Sequence, residues 1–283
     1  MIINTNISQW IAASEPDFFM MFIKAWIPFN AWYMKNYYSE DDKRTSDRDI
    51  MDYMKGAKPG NEPYKDRIVK LLRGSTTEAV SFQNYLAALH FALRAHPIPN
   101  VDEAISFCQV CIISEKPDDY APIAIDEFTY TARQDILLPK NSPRWMLEVI
   151  DTAAKETVYM VKIHKPSLHE LVQNDEFIAL PLDKQREGLK HALNMVSPNR
   201  TDNLVLKEYQ GEVKDLPTDS YLIGETKKVC LVDNKDKIAR AVIQILYELR
   251  CKLFHGELAP TSDYKKVYEY AFYLQRMLIK NLV

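Results

Sequence analysis

Cysteine is scarce in these 283 residues, occurring only as Cys108, Cys111, Cys230 and Cys251. Four scattered thiols do not make the disulfide framework of a small secreted scaffold, and no secretory leader precedes Ile2, so a reducing cytoplasm is the expected setting. Cys108 and Cys111 form a C-x-x-C within SFCQVCIIS, but no second pair and no nearby histidine pair completes a zinc site. Charge of one sign is also lacking. The formal net charge is −3, which gives no global attraction for nucleic acid, so any polyanion must find a local basic patch. Long apolar runs are missing too. The densest, FFMMFIKAWIPFNAWYM at 18–34, is broken by Lys24, Pro28 and Asn30, whereas a spanning helix wants about 20 nearly uninterrupted apolar residues. No membrane association is expected. Nucleophile triads, glycine-rich phosphate loops and metal sets such as H-E-x-x-H are absent, and His164, His169 and His191 have no metal-ligand spacing. Neither a metal nor a cofactor is expected.

What is present supports a real core. A hydrophobic content of 47% suits one large domain or a domain with a substantial insertion. Ser14 as N-cap, with Pro16 and Asp17 in the first turn, predicts a helix over about 15–38, kinked where Pro28 has no amide to give. The charged stretch YSEDDKRTSDRD at 38–49 reads as a solvated loop. Helices follow at 63–74, stopped by Gly74, and at 76–96, stopped by HPIP. Between about 97 and 230 the pattern changes to short β-branched and aromatic runs, APIAID, TVYMVKIH and KKVCLVD. Two helices are expected among them, at 143–156, starting at Pro143, and at 182–196. The remaining pieces LVQNDEFIALPLDKQ and VSPNRTDN read as loops. The expected organisation is therefore 1–96 as the first part of a helical bundle, 97–230 as an inserted mixed element, and 231–283 as a helical hairpin completing the bundle.

That last part has the clearest pattern. Ile238, Val242, Ile245, Leu246, Leu249 and Leu253 form an apolar stripe on a helix over 234–255 about 30 Å long. Gly256 ends it, Pro260 prevents its resumption, and a terminal helix capped by Ser262 or Asp263 returns antiparallel after a short loop. At the junction stands RCKLFHGE, 250–257. His255 sits where unpaired carbonyls favour a charged imidazole, and Arg250 lies five residues earlier, about 140° away around a regular helix. A histidine exchanges protons near neutrality and an arginine holds a phosphate through parallel hydrogen bonds. Together they suit RNA cleavage, where the neighbouring 2′-hydroxyl is the nucleophile. The plainer alternatives are a helix-capping His255 bonded to a terminal carbonyl and an Arg250 ion-paired with Glu248, Asp236 or another acid. Asn30, polar within an aromatic helix, needs a partner if buried. It bonds either the backbone beyond Pro28 or the Arg250 and His255 pocket. Lys252, Lys265 and Lys266 are candidates for a positive rim, and Trp26, Trp32 and Tyr33 read as core or dimer contacts.

Arg250-Cys251-Lys252-Leu253-Phe254-His255-Gly256, an R-x4-H followed by glycine, resembles the signature of the HEPN superfamily. The terminal DYKKVYEYAFYL and the N-terminal FIKAWIPFNAWYMKNYY are similar to that family's closing and opening helices. The resemblance covers 15–38 and 236–283, extends towards 60–96, and leaves the middle of the chain unmatched. It implies a mainly α, up-and-down helical bundle with an inserted mixed α+β element. It also implies a homodimer whose motifs meet, and metal-independent endoribonuclease activity on single-stranded or looped RNA, as in toxin or antiviral systems with a neutralising protein partner. Arg250 would then stabilise the scissile phosphate and His255 would organise or protonate the leaving group, with Asn30, Cys251 and Lys252 in support. Catalytic members often carry Asn, Asp or His directly after the arginine, where this chain has Cys251. The alternative from the same resemblance is a non-catalytic module that binds a nucleotide, RNA or protein.

Overall fold

The computed structural model describes residues 15–100, 104–112, 122–139, 141–196, 201–280 and 282. In chain order the elements are α1 (Phe18–Tyr37), α2 (Asp47–Gly56), α3 (Pro63–Arg73), α4 (Thr77–Ala95), β1 (Val110–Cys111), β2 (Ile123–Ile125), β3 (Phe128–Gln134), β4 (Trp145–Asp151) and β5 (Thr157–Ile163). They continue with α5 (Leu168–Val172), α6 (Asp175–Ile178), α7 (Asp183–Val196), β6 (Thr201–Asp202), β7 (Val205–Gln210), β8 (Ser220–Ile223), β9 (Lys227–Val232), α8 (Lys235–Phe254) and α9 (Ser262–Ile279). Among the described residues, 48% are helical and 19% are in strands, which form three antiparallel sheets, so the fold is mixed α and β. The expectation of a mainly α, up-and-down bundle with an insertion is therefore corrected. Among the described residues no helix is long and apolar enough to cross a membrane.

The chain divides into two compact units. The first comprises the chain up to Ile98, Ile105–Cys108, and Leu204 onwards. Its α1 is capped by Asp17, whose Oδ1 accepts the Met20 amide at 3.1 Å. Ser14, the expected cap, lies outside the described residues. The helix continues through Pro28, which is exposed. Its inner face, Phe18, Phe22, Ala25, Trp26, Phe29 and Tyr33, repeats at helical spacing and is buried. Phe29 stacks on Tyr64 of α3 with ring centroids 4.2 Å apart. The helix α8 is more deeply placed than a single stripe requires, because every residue from Ile238 to Leu246 is buried. Its polar members survive burial by finding partners: Arg240 bonds Asp236 at 2.7 Å, and Gln244 accepts from Lys55 and donates to Glu248. The terminal helix α9 packs chiefly on α1 and α4, and its Tyr268 hydroxyl reaches back to the Leu249 carbonyl at 2.9 Å. It has a Thr261 cap without a side-chain bond, where Ser262 or Asp263 was expected.

The sheet order in this unit is β7-β9-β8, antiparallel, with Val229, Cys230 and Leu231 buried and α4 packed against β8 and β9. Strands thus enter the core alongside the helices, which is the physical reason that the expected mainly α, up-and-down bundle with an insertion fails as a description.

The second unit, Pro99–Ala104 and Gln109–Asn203, is built on the antiparallel order β2-β3-β4-β5. Tyr130, Leu147, Val149, Val161 and Ile163 from its strands form one core with Leu189, Leu193 and Val196 of α7. Close approach is secured at Gly188, where an added Cβ would stand 2.3 Å from the Tyr130 ring. The helix expected at 143–156 is instead β4. Leu147 and Val149 alternate inward while Glu148 turns away, a period of two that overrides the helical start signal at Pro143. The stretch 171–185, expected as loop, holds the end of α5, all of α6 and the start of α7. No disulfide joins Cys108 and Cys111.

Candidate functional site

The end of α8 is set by a glycine. Gly256 takes φ +65°, a left-handed conformation that costs a side-chain-bearing residue about 1–2 kcal/mol. That turn lets the Gly256 amide donate to the Leu253 carbonyl at 3.2 Å and the Glu257 amide to Lys252 at 3.0 Å. These two bonds are the paired closure of a Schellman ending, so backbone amides satisfy carbonyls that a capping side chain would otherwise serve. His255 is the C-cap residue, its own amide bonded to Cys251 O at 3.0 Å. Its side chain is exposed and makes no hydrogen bond among the described residues. The capping role weighed for this imidazole is thus already filled by backbone.

One turn earlier, Arg250 is held inside the unit, with its side chain 15% exposed. Its Nη2 lies 2.9 Å from Asp47 Oδ2, and its Cζ stands 4.3 Å above the ring of Phe254, which is itself half exposed. The Nε is buried without a partner among the described residues. The acid is neither Glu248, which accepts from Gln244, nor Asp236, which pairs with Lys65 and Arg240. Asn30 approaches from α1: its amide donates to the Tyr33 hydroxyl and, at 3.4 Å, to Asp47 Oδ1. The sequence left two roles open for Asn30. The structure gives it side-chain partners and links it to Arg250 through Asp47.

Around this cluster the tyrosines keep their protons at neutrality. Burial is the main cause at Tyr33, whose pKa is pushed up to about 12, with the Asp47 charge adding and the Asn30 bond opposing. Burial, then the neighbouring Cys251 and the Asp47 carboxylate, raise Tyr247 against the pull of Arg250. Cys251 is half-buried beside that phenol. Lys252 bonds Glu257 at 2.6 Å, and Lys265 and Lys266 pair with Glu15 and Glu269 at 2.9 and 2.7 Å. The three lysines therefore each face an acid and give no uncompensated positive rim. The Lys252 hydrogen bond, and then its charge, hold the Glu257 carboxyl below its ordinary range. Trp26 and Tyr33 belong to the core, while Trp32 is half-buried.

No family model, curated protein or solved structure matches the chain. The functional reading accordingly stands on the residues themselves. The side chain that sequence reasoning missed is Asp47, placed in the stretch read as a solvated loop. A signal was present: Ser46 and Asp49 form a capping box, with both reciprocal bonds made, that starts α2 at Asp47.

Proposed function

We propose that this protein is a metal-independent endoribonuclease that works as a homodimer, with Arg250 and His255 of both copies meeting at one phosphate. The observation that carries the reading is an exposed His255 on a helix end whose carbonyls are already satisfied by backbone, close in sequence to a guanidinium fixed by Asp47. The resemblance of RCKLFHG to the HEPN signature supports it independently of the overall fold. In the reaction, the RNA 2′-oxygen bonds to phosphorus while the bond to the 5′-oxygen breaks. One histidine takes the 2′-hydroxyl proton and the other, charged, gives a proton to the departing 5′-oxygen. Arg250 offsets the charge that develops on the non-bridging oxygens. The products are a 2′,3′-cyclic phosphate and a 5′-hydroxyl end, and an attacking water is not needed. Single-stranded or looped RNA is the substrate class because a constrained duplex opposes the in-line geometry. A cytoplasmic setting and a neutralising protein partner belong to the same proposal.

A non-catalytic interaction module is the second reading. It is favoured by the ion pair that occupies part of the Arg250 guanidinium and by Cys251 in the place of a polar helper. Digestion of a mixed RNA in chelator separates the two. The nuclease reading expects cyclic-phosphate ends, no cutting of a strand carrying 2′-deoxyribose at the scissile positions, and loss of cutting in Arg250→Ala. RNA binding by the wild type without any cutting would favour the module instead.

A further inference from the structure

We propose that Asp47 is the positioning residue of the Arg250 site, an assignment that rests on the nuclease reading for its function but not for its geometry. Asp47 is the first residue of α2, where the helix dipole and free amides favour a carboxylate. The capping box of Ser46 and Asp49 fixes that helix start. Both oxygens of Asp47 are used: Oδ2 meets Arg250 at 2.9 Å and Oδ1 receives the Asn30 amide at 3.4 Å. Asn30 is in turn tied to Tyr33, which is fully buried. A chain of contacts thus runs from the core of α1 through Asp47 to the guanidinium at the end of α8.

The guanidinium itself argues for positioning rather than stability. Its Nε is buried and unpartnered, an arrangement that costs free energy and that a contact serving stability alone would relieve. With the Phe254 ring on one face and Asp47 at Nη2, the 15% of the side chain that is still exposed is the part left to meet an anion. Removing the acid frees the side chain to rotate, so the phosphate contact is lost although Asp47 touches no substrate.

The experiment compares wild type, Asp47→Asn, Asp47→Glu and Arg250→Lys, each first checked for an unchanged unfolding temperature. Side-chain NMR follows the Arg250 Nε–H, assigned by its disappearance in Arg250→Lys, and chelator-treated digestion follows cleavage. In Asp47→Asn the Nε–H exchanges with water faster and RNA is cut more slowly, each by roughly ten- to a hundredfold, the range for a charged hydrogen bond. Asp47→Glu recovers part of both. Adding Asp47→Asn to Arg250→Lys has no further effect, since the acid acts only through the arginine. Unchanged Nε–H exchange in Asp47→Asn would overturn the proposal, as would faster cutting, which would mark Asp47 as a mask over the arginine. If the wild type cuts no RNA, the nuclease reading falls, and Nε–H exchange alone decides whether Asp47 positions Arg250.

Discussion

His90 is buried on α4, its Nε2 2.9 Å from Glu208 Oε1, and the same oxygen receives Arg94 Nη1 at 2.8 Å. Burial lowers its pKa; the Glu208 carboxylate opposes this and the Arg94 charge adds to it. In the unfolded chain a histidine takes up its proton near pH 6.5. As pH falls below that value the unfolded chain binds a proton before the folded one does, so stability drops until the folded pKa is passed. Above it this contribution is constant. Thermal unfolding followed from roughly pH 7.5 down to roughly 5.5 should show the midpoint falling, and falling less in His90→Gln. The same slope in both proteins would remove His90 as the cause. His255 differs in kind, being exposed, and a substitution there should leave the unfolding midpoint where it is.

At the scale of elements, two contacts carry distinct predictions. The Tyr64 hydroxyl of α3 donates to Gln275 Oε1 of α9 at 2.5 Å in a fully buried position, and burial raises the phenol's pKa well above its ordinary value. Tyr64→Phe leaves that amide oxygen without its partner and should cost about 1–3 kcal/mol in urea unfolding. A neutral effect would mean that water or a rotated amide replaces the bond. In the other unit, Gly188→Ala puts a methyl group into the Tyr130 ring. Because that ring is buried between β3 and α7, the change should destabilise by about 1–3 kcal/mol or more, read as loss of the cooperative signal from this unit. Helices with clear stops were legible in the sequence: 63–74 corresponds to Pro63–Arg73, 76–96 to Thr77–Ala95, and 234–255 to Lys235–Phe254. The strands β3 and β4 were not, since their partners come from pairing with each other and with β5, a tertiary choice that local start signals such as Pro143 do not record. The candidate site was half legible for the same reason. Arg250, His255 and Asn30 stood out by residue type, but the acid that joins Arg250 to Asn30 is brought there by the packing of α2 on α8.

For the whole molecule, helices and a three-stranded sheet share one unit, and a four-stranded sheet with its own helices makes the other. Position of the R-x4-H motif near the end of α8 keeps His255 at the surface of its unit, where a second copy can meet it. The proposed activity should therefore depend on protein concentration through dimerisation, in step with the dimer fraction measured by sedimentation. The most direct measurement is the initial rate at which wild type and His255→Ala cut an unstructured RNA in chelator at matched dimer concentration. The account predicts a fall of about 100- to 10,000-fold, the usual range for lost general acid–base catalysis, with the unfolding temperature unchanged. Equal rates in the two proteins would contradict it.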